Sequence, residues 1–352
     1  MLSKNPLLDL KIQPRYSFYL ASDTEASFVV DASVSSPNPA DDTNSLKCRH
    51  KLSFIHGQPF YSRAINLPSN LVSLQQSVAT NRTATKLALT ISRPDTGADV
   101  AKDELTINST AEVTFSLRGF SPRVEPYTIV VKAQTPNGQP FNAQTQLFHL
   151  PDPTDGRVVT KLDNLNGGLL VKIHDGWTPF FPYSFYIDSK WISPDPSRLV
   201  DFAKLGYNVL HVIPSYDYDW FDKVADEAEK VGLWIMYDMR GTWMSLADVE
   251  MQVKRYGKRT NLLLWYTADE PGTLPSQFAT LQDLLCVDGP VTPLDSTIKT
   301  YDLIKSLDPY RPISLVLNCA NYHFAEYLAG ADILLSDPYP VATNTSWSTE
   351  YG

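Results

Sequence analysis

Two adjacent carboxylates, Asp269 and Glu270, end the apolar run "NLLLWYTADEPG". Neighbouring acids repel each other's charge, and that repulsion raises the pKa of one of them. A carboxyl so raised toward neutrality can protonate a leaving oxygen as a general acid. Glu270 is the candidate for that role, with Asp269 as its neighbour and a substrate contact. A plainer role also fits, since both acids could cap a following helix. Arg240, in "YDMRG", could hold a carboxylate or bind a substrate hydroxyl, or simply pair with Asp238. His211, inside "VLHVIP", is either a site residue or a satisfied core histidine. Asn318, Asp337 and Tyr339 are polar groups in similar positions, and Asp337 is a substrate contact, a second catalytic carboxylate or a turn residue before Pro338.

The elements that must carry these residues are strands. Leu262, Leu263 and Leu264 read as a buried strand that Pro271 terminates, because proline cannot donate to a ladder. From about residue 180 onward, strands alternate with amphipathic helices: "PSRLVDFAKLG", "YNVLHVIPSYD", "WFDKVADEAEKVG", "LWIMYDMRG", "SLADVEMQVKRYG". The alternation continues through "STIKTYDLIKSLDPYRP", "ISLVLNC", "YHFAEYLAG" and "ADILLSDPYP". Continuous apolar strands alternating with helices imply a parallel sheet covered on both faces. Ser184, Tyr186, His211, Ser215, Asp238, Arg240, Asp269, Glu270, Asn318, Asp337 and Tyr339 all fall at or just past the C-terminal ends of those strands. Many strands contributing polar groups at one end is the pattern of a barrel mouth. A doubly wound nucleotide-binding sheet would need a glycine-rich first turn, and no such motif occurs.

Residues 1–150 follow a different pattern. Short runs such as "YSFYLA", "ASFVVDASV", "KLALTIS", "AEVTFSLRGF" and "YTIVVKAQT" are separated by turn clusters. They read as an antiparallel β-sandwich, with a hairpin turn at "PNGQP". Residues 151–180 read as a linker and junction strand, and 181–352 as the barrel domain. The expectation is therefore a multidomain chain, a sandwich followed by a TIM (β/α)8 barrel of which only strands one to six are present.

Composition bounds the function. The chain has 352 residues, a 43% hydrophobic fraction and a formal net charge of -9. That charge argues against general nucleic-acid binding, which uses a basic face. No apolar run is long enough to span a bilayer, so no membrane partner is expected. Cys48, Cys286 and Cys319 are too scattered for a zinc site or a disulfide framework. No cofactor or metal is expected: "DYDWFD" lacks the calcium-loop spacing, and His174, His211 and His323 form no cluster in the sequence. Sequons at Asn81, Asn108 and Asn344 point to a secreted glycoprotein, with chance sequons in a cytoplasmic protein as the alternative. The first twenty residues do not read as a signal peptide. Trp243, Tyr266, Tyr216, Tyr218 and Trp220 lie near strand ends or in the loops beyond. Such rings either stack on the C–H faces of sugars or pack in the core.

The segment "GGLLVKIHDGWTPFFPYSFYI" resembles the sandwich-to-barrel junction of retaining (β/α)8 glycoside hydrolases, and "WYTADEP" resembles their fourth-strand motif. "ADILLSDPYP" is similar to a sixth-strand ending in the same clan. The resemblance covers residues 160–340. It implies an O-glycoside hydrolase acting on a polysaccharide or glycan, with Glu270 as general acid/base. It also implies that His211, Arg240, Trp243, Tyr266, Asp269, Asn318, Asp337 and Tyr339 bind carbohydrate. Asp269 departs from the clan's commoner asparagine. The nucleophile of the clan lies on strand seven, which places it beyond Gly352. The chain as given is then expected to be inactive. The alternatives are a non-catalytic carbohydrate-binding or structural protein on the same fold, and a metal-dependent hydrolase. Oligomeric state is left open.

Overall fold

The computed structural model of the protein describes residues 7–35, 72–73, 85–173, 176–215, 217–271, 292–293, 295–317 and 324–336. The chain divides into two compact units, Met1–Asp152 with Leu162–Gly168, and Pro153–Lys161 with Leu169–Gly352.

The first unit is antiparallel β. One four-stranded sheet is formed by β1 (Leu7–Pro14), β3 (Glu25–Ser35), β4 (Val72–Ser73) and β7 (Ser109–Ser116), in the order β4-β1-β3-β7. A second, in the order β6-β5-β8-β9, is formed by β5 (Lys86–Arg93), β6 (Ala98–Thr106), β8 (Tyr127–Gln134) and β9 (Pro140–Leu147). A two-residue pairing joins β2 (Tyr19–Leu20) to β10 (His149–Leu150). Side chains alternate across a strand, so β8 buries Tyr127, Ile129, Val131 and Ala133 and turns the residues between them outward. Phe28, Val30 and Phe115 from one sheet share a single core with Leu89, Ile129 and Phe141 from the other. The expected hairpin at "PNGQP" is present, with Gln134 facing Pro140 and Gly138 at φ +84°.

Leu162–Gly168 is tied into this unit by side chains. Arg15 donates to both carboxylate oxygens of Asp163, at 2.7 and 3.0 Å, and to Glu112 at 2.7 Å. Ser17 Oγ accepts from the Leu162 amide.

The second unit carries two sheets. β11 (Thr160–Leu162), which ends just across the unit boundary, β12 (Leu169–Ile173) and β13 (Gly176–Phe180) form a three-stranded sheet in that order. The junction segment thus folds back on itself as an antiparallel pair, Leu169 opposite Phe180. The linker and single junction strand expected over residues 151–180 give way to an antiparallel pair at their end. The second sheet is parallel and has six strands in sequence order: β14 (Tyr186–Asp188), β15 (Val209–Ile213), β16 (Trp234–Asp238), β17 (Leu262–Asp269), β18 (Ile313–Leu317) and β19 (Ile333–Ser336). Between them run α1 (Ser189–Ile192), α2 (Arg198–Lys204), α3 (Tyr218–Lys230), α4 (Leu246–Tyr256), α5 (Ser296–Leu307) and α6 (Phe324–Leu328). All six strands expected from the sequence are present. Among the described residues the sheet does not close into a barrel.

Helices α3 and α4 start on side-chain caps: Asp217 accepts from the Trp220 amide ahead of α3, and Ser245 from the Asp248 amide ahead of α4. At the start of β18, a fully buried Arg311 donates to the carbonyls of Gly257, Arg259 and Leu262 and to Asp308 at 2.8 Å. Asp308 also accepts from Trp265 Nε1 and from Arg157. A buried ion pair survives only when its remaining groups are satisfied like this.

Candidate functional site

Strands β14 to β17 bring one polar network together: Asp238 and Asp269 close β16 and β17 as expected, whereas Tyr186 opens β14 and His211 lies in the middle of β15, not at their C-terminal ends. His211 on β15 is buried and lies 2.8 Å from Asp238, the last residue of β16, with Nε2 donating to Oδ2. The Asp238 side chain is completely enclosed. Arg240, two residues on, donates Nε to Asp238 at 2.8 Å, and its backbone amide donates to the other Asp238 oxygen at 2.8 Å. Nη2 sits 2.7 Å from Asp238 Oδ2 as an ion-pair contact whose angle makes no hydrogen bond. Nη1 lies 2.5 Å from Asp269 Oδ2. One guanidinium therefore clamps two carboxylates on adjacent strands. Burial alone would lower its pKa, but the hydrogen bond and charge of Asp238 and the charge of Asp269 outweigh that and raise it.

Tyr266 completes the clamp. Its hydroxyl donates to Asp269 Oδ1 at 2.8 Å. Its single proton is spent there, so the 3.0 Å contact with the Tyr186 hydroxyl has Tyr186 as donor. Burial first, then the charge of Asp269, pushes the Tyr266 pKa up, and the phenol stays neutral. Arg240 lies over the Tyr186 ring, 4.6 Å from its centroid, and 5.3 Å from that of Tyr266. Tyr186 faces His211 in the strand register, and Asp238 faces Tyr266.

A register shift makes the Tyr266–Asp269 contact available. Residues three apart on a regular strand point to opposite faces. Here Tyr266 pairs with Ser314 and Asp269 with Val316, so β17 has one residue more than β18 over that interval. The bulge resets the alternation and re-aims Asp269, a device often found beside functional sites.

Glu270 follows directly. It is half-buried, and its amide donates to the Val316 carbonyl at 3.1 Å. Its φ is +48°. A glutamate gains nothing in the left-handed region, and the Pro271 ring that follows pushes the preceding residue toward extended backbone. Backbone strain of this kind costs about 1–3 kcal/mol and concentrates at functional sites.

The structure sorts the remaining expected residues. Arg240 pairs with Asp238 and also holds Asp269. His211 is a satisfied buried histidine that also belongs to the network. Tyr266 is fully buried, so it holds Asp269 and presents no open ring face. Trp243 is also enclosed, with its carbonyl taken by Thr300, and its place is in the core. Tyr218 and Trp220 form the first turn of α3 and do not lie in a loop. Asn318, Asp337, Tyr339 and Tyr216 lie outside the described residues, as do His174 and His323. Tyr186 begins its strand, and nothing in its spacing signalled its contacts with Tyr266 and Arg240. A shallow cleft with a cavity volume of only about 20 Å³ opens between β15, β16, α3 and α4, lined by Ser215, Asp217, Tyr218, Phe221, Tyr237, Asp238 and Gln252 among others. Among the described residues no group of three His, Cys, Asp or Glu is placed to hold a metal ion.

No family model and no curated protein sequence matches the chain. Among solved structures it is similar to a glycosyl hydrolase family 2 member from Bacteroides cellulosilyticus DSM 14838, at 12% identity and a TM-score of 0.37 over 94% of this chain and 39% of that one. It is also similar to a β-glucuronidase from Parabacteroides merdae, at 11% identity and a TM-score of 0.38 over 94% of this chain and 35% of that one. A third is an FMN-binding β-glucuronidase from Facaelibacterium prausnitzii L2-6, at 14% identity and a TM-score of 0.33 over 95% of this chain and 43% of that one. The chain spans less than half the length of each. A likeness of this degree assigns no family.

Proposed function

We propose that the protein is an O-glycoside hydrolase of retaining type, or a part of one, acting on a polysaccharide or glycan, with the six parallel strands belonging to a (β/α)8 barrel. The observation that carries this reading is Glu270. It stands in a strained conformation at the C-terminal end of a buried central strand, beside a carboxylate clamped by a cation from the next strand. In this reading Glu270 protonates the leaving oxygen and later activates water. Asp269 and Tyr266 fix the ground on which the sugar sits.

A retaining enzyme needs a second carboxylate about 5–5.5 Å from the first. Asp238 and Asp269 are both committed to Arg240, so they hold the cation and do not attack the sugar. That commitment favours a second reading, a non-catalytic carbohydrate-binding protein that uses the same mouth. Glu270→Gln decides between them when turnover and binding of aryl glycosides are measured side by side. The hydrolase reading expects turnover to drop about a hundredfold or more with binding retained. Wild-type turnover in the variant removes Glu270 from the mechanism. Measured in a longer form of the protein that supplies the second carboxylate, binding without turnover in both proteins supports the second reading.

We also propose secretion. Asn108 is exposed on the turn between β6 and β7, where its side-chain oxygen accepts from the Val34 amide. Protein expressed in a eukaryotic secretory host should lose mass on treatment with an N-glycosidase, and an unchanged mass would count against it.

A further inference from the structure

We infer that Tyr266, acting through Asp269, is the positioning residue for Glu270. Its hydroxyl, together with Arg240, holds Asp269 so that the chain passes through Glu270 in the left-handed conformation. The clamp stands without any substrate, and its use for proton transfer rests on the hydrolase reading above.

The first ground is that this turn has no local cause. A glutamate does not favour φ +48°. The proline that follows disfavours it as well. A conformation that its own residues resist is imposed by what surrounds it.

The second ground is where the restraint acts. The Glu270 amide donates to the Val316 carbonyl at 3.1 Å, which holds one side of the peptide unit between Asp269 and Glu270. The Asp269 side chain holds the other side. Its Oδ1 accepts from the Tyr266 hydroxyl at 2.8 Å, and its Oδ2 lies 2.5 Å from Arg240 Nη1. A peptide unit is rigid and planar. Pinned on both flanks, it leaves the rotation at Glu270 to make the turn toward Pro271.

The third ground is that Tyr266 cannot move. It is fully buried, its ring centroid lies 4.7 Å from that of His211, and its carbonyl takes the Met239 amide at 2.8 Å. Its hydroxyl oxygen accepts from Tyr186 at 3.0 Å, and its one proton goes to Asp269. Arg240 divides itself between Asp238 and Asp269, whereas the Tyr266 proton serves Asp269 alone. Support of this kind, from a side chain itself locked by packing, keeps a reacting group in place. The irregularity in β17 that brings Tyr266 to Asp269 lies directly before the turn it supports.

The test reads the backbone of Glu270 in this chain by NMR, with no sugar present. In protein carrying isotope-labelled glutamate, the signals that vanish in Glu270→Gln are those of Glu270. Tyr266→Phe, which removes only the hydroxyl, should move the Glu270 Cα and Cβ shifts from left-handed toward extended values. Tyr186→Phe, which leaves the Tyr266 proton on Asp269, should not move them. If Tyr266→Phe fails to fold, Asp269→Ala, which takes away the group both anchors hold, should give the same movement. Urea midpoints give a second readout. In the wild type, loss of the Tyr266 hydroxyl is offset by release of the strained turn. In Glu270→Gly there is no strain to release. Tyr266→Phe should therefore lower the midpoint more in the Glu270→Gly background than in the wild type, a coupling between the two sites. Unmoved Glu270 signals, or equal lowering in both backgrounds, overturn the inference. Neither measurement involves a carbohydrate, so that result leaves the hydrolase reading standing, and failure of the hydrolase reading leaves the clamp.

Discussion

At Glu270 a backbone cost and a candidate chemical role coincide. Glycine reaches φ +48° without the steric cost that a β-carbon brings. Glu270→Gly should therefore raise unfolding stability by about 1 kcal/mol. A chemical-denaturation midpoint that falls would show that the glutamate side chain holds the fold together. Arg240 predicts the opposite sign. Arg240→Met leaves the enclosed Asp238 charge with His211 and without its cation, a loss of about 3–5 kcal/mol. The same midpoint measurement checks it, and a change below about 1 kcal/mol would mean the clamp is incidental. Part of this site was legible in the residue order. A run of leucines ending in two acids marks a strand end, and "DMR" two residues past another strand marks a partner. The meeting of Tyr266 with Asp269 was not legible. It depends on a register shift against β18, and one extra residue leaves no mark in side-chain periodicity.

At the scale of elements, close approach is decided at α5. A β-carbon built on Gly330 would lie 2.3 Å from the Thr297 backbone carbon. Backbone on one side and the first turn of α5 on the other leave no flexible group to yield. Gly330→Ala should cost about 1–3 kcal/mol, read as a lowered thermal midpoint, and an unchanged midpoint would mean α5 can shift freely. The alternation of strand and helix from β14 to β19 was readable because each strand is a continuous apolar run and each helix has a separate periodicity. The sandwich strands were readable for the same reason, at period two. The junction was misread. "GGLLVKIHDGWTPFFP" holds two runs that pair with each other, and the Asp-Gly dipeptide between them is a hairpin signal that the single-strand reading passed over.

Over the whole molecule, each unit contains an aspartate whose ionised form the fold favours. Burial opposes charge at both Asp163 and Asp308. The Arg15 hydrogen bond and two backbone amides lower the Asp163 pKa, and the charges of Arg311 and Arg157 lower that of Asp308. A folded pKa below the unfolded value of about 3.9 adds stability that is full above that value and is lost as pH falls through the folded pKa. Both units should therefore lose stability in acid below about pH 4. Asp332, whose pKa burial raises, works the other way and softens the loss. Asp163→Asn should flatten the acid limb of the first unit in a pH series of urea melts, and an unchanged slope would remove Asp163 as its cause. Unfolding of fragments checks the division itself. A piece ending after Gly168 keeps the Arg15–Asp163 pair, and one ending at Asp152 lacks it. The shorter piece should unfold at lower urea, and equal midpoints would refute the assignment of Leu162–Gly168 to the first unit. The chain passes between its units three times, after Asp152, after Lys161 and after Gly168. A gene exchange that swapped one module at a single splice would leave one of these stitches cut, so the two halves can be inherited intact by a new protein only if all three seams travel together.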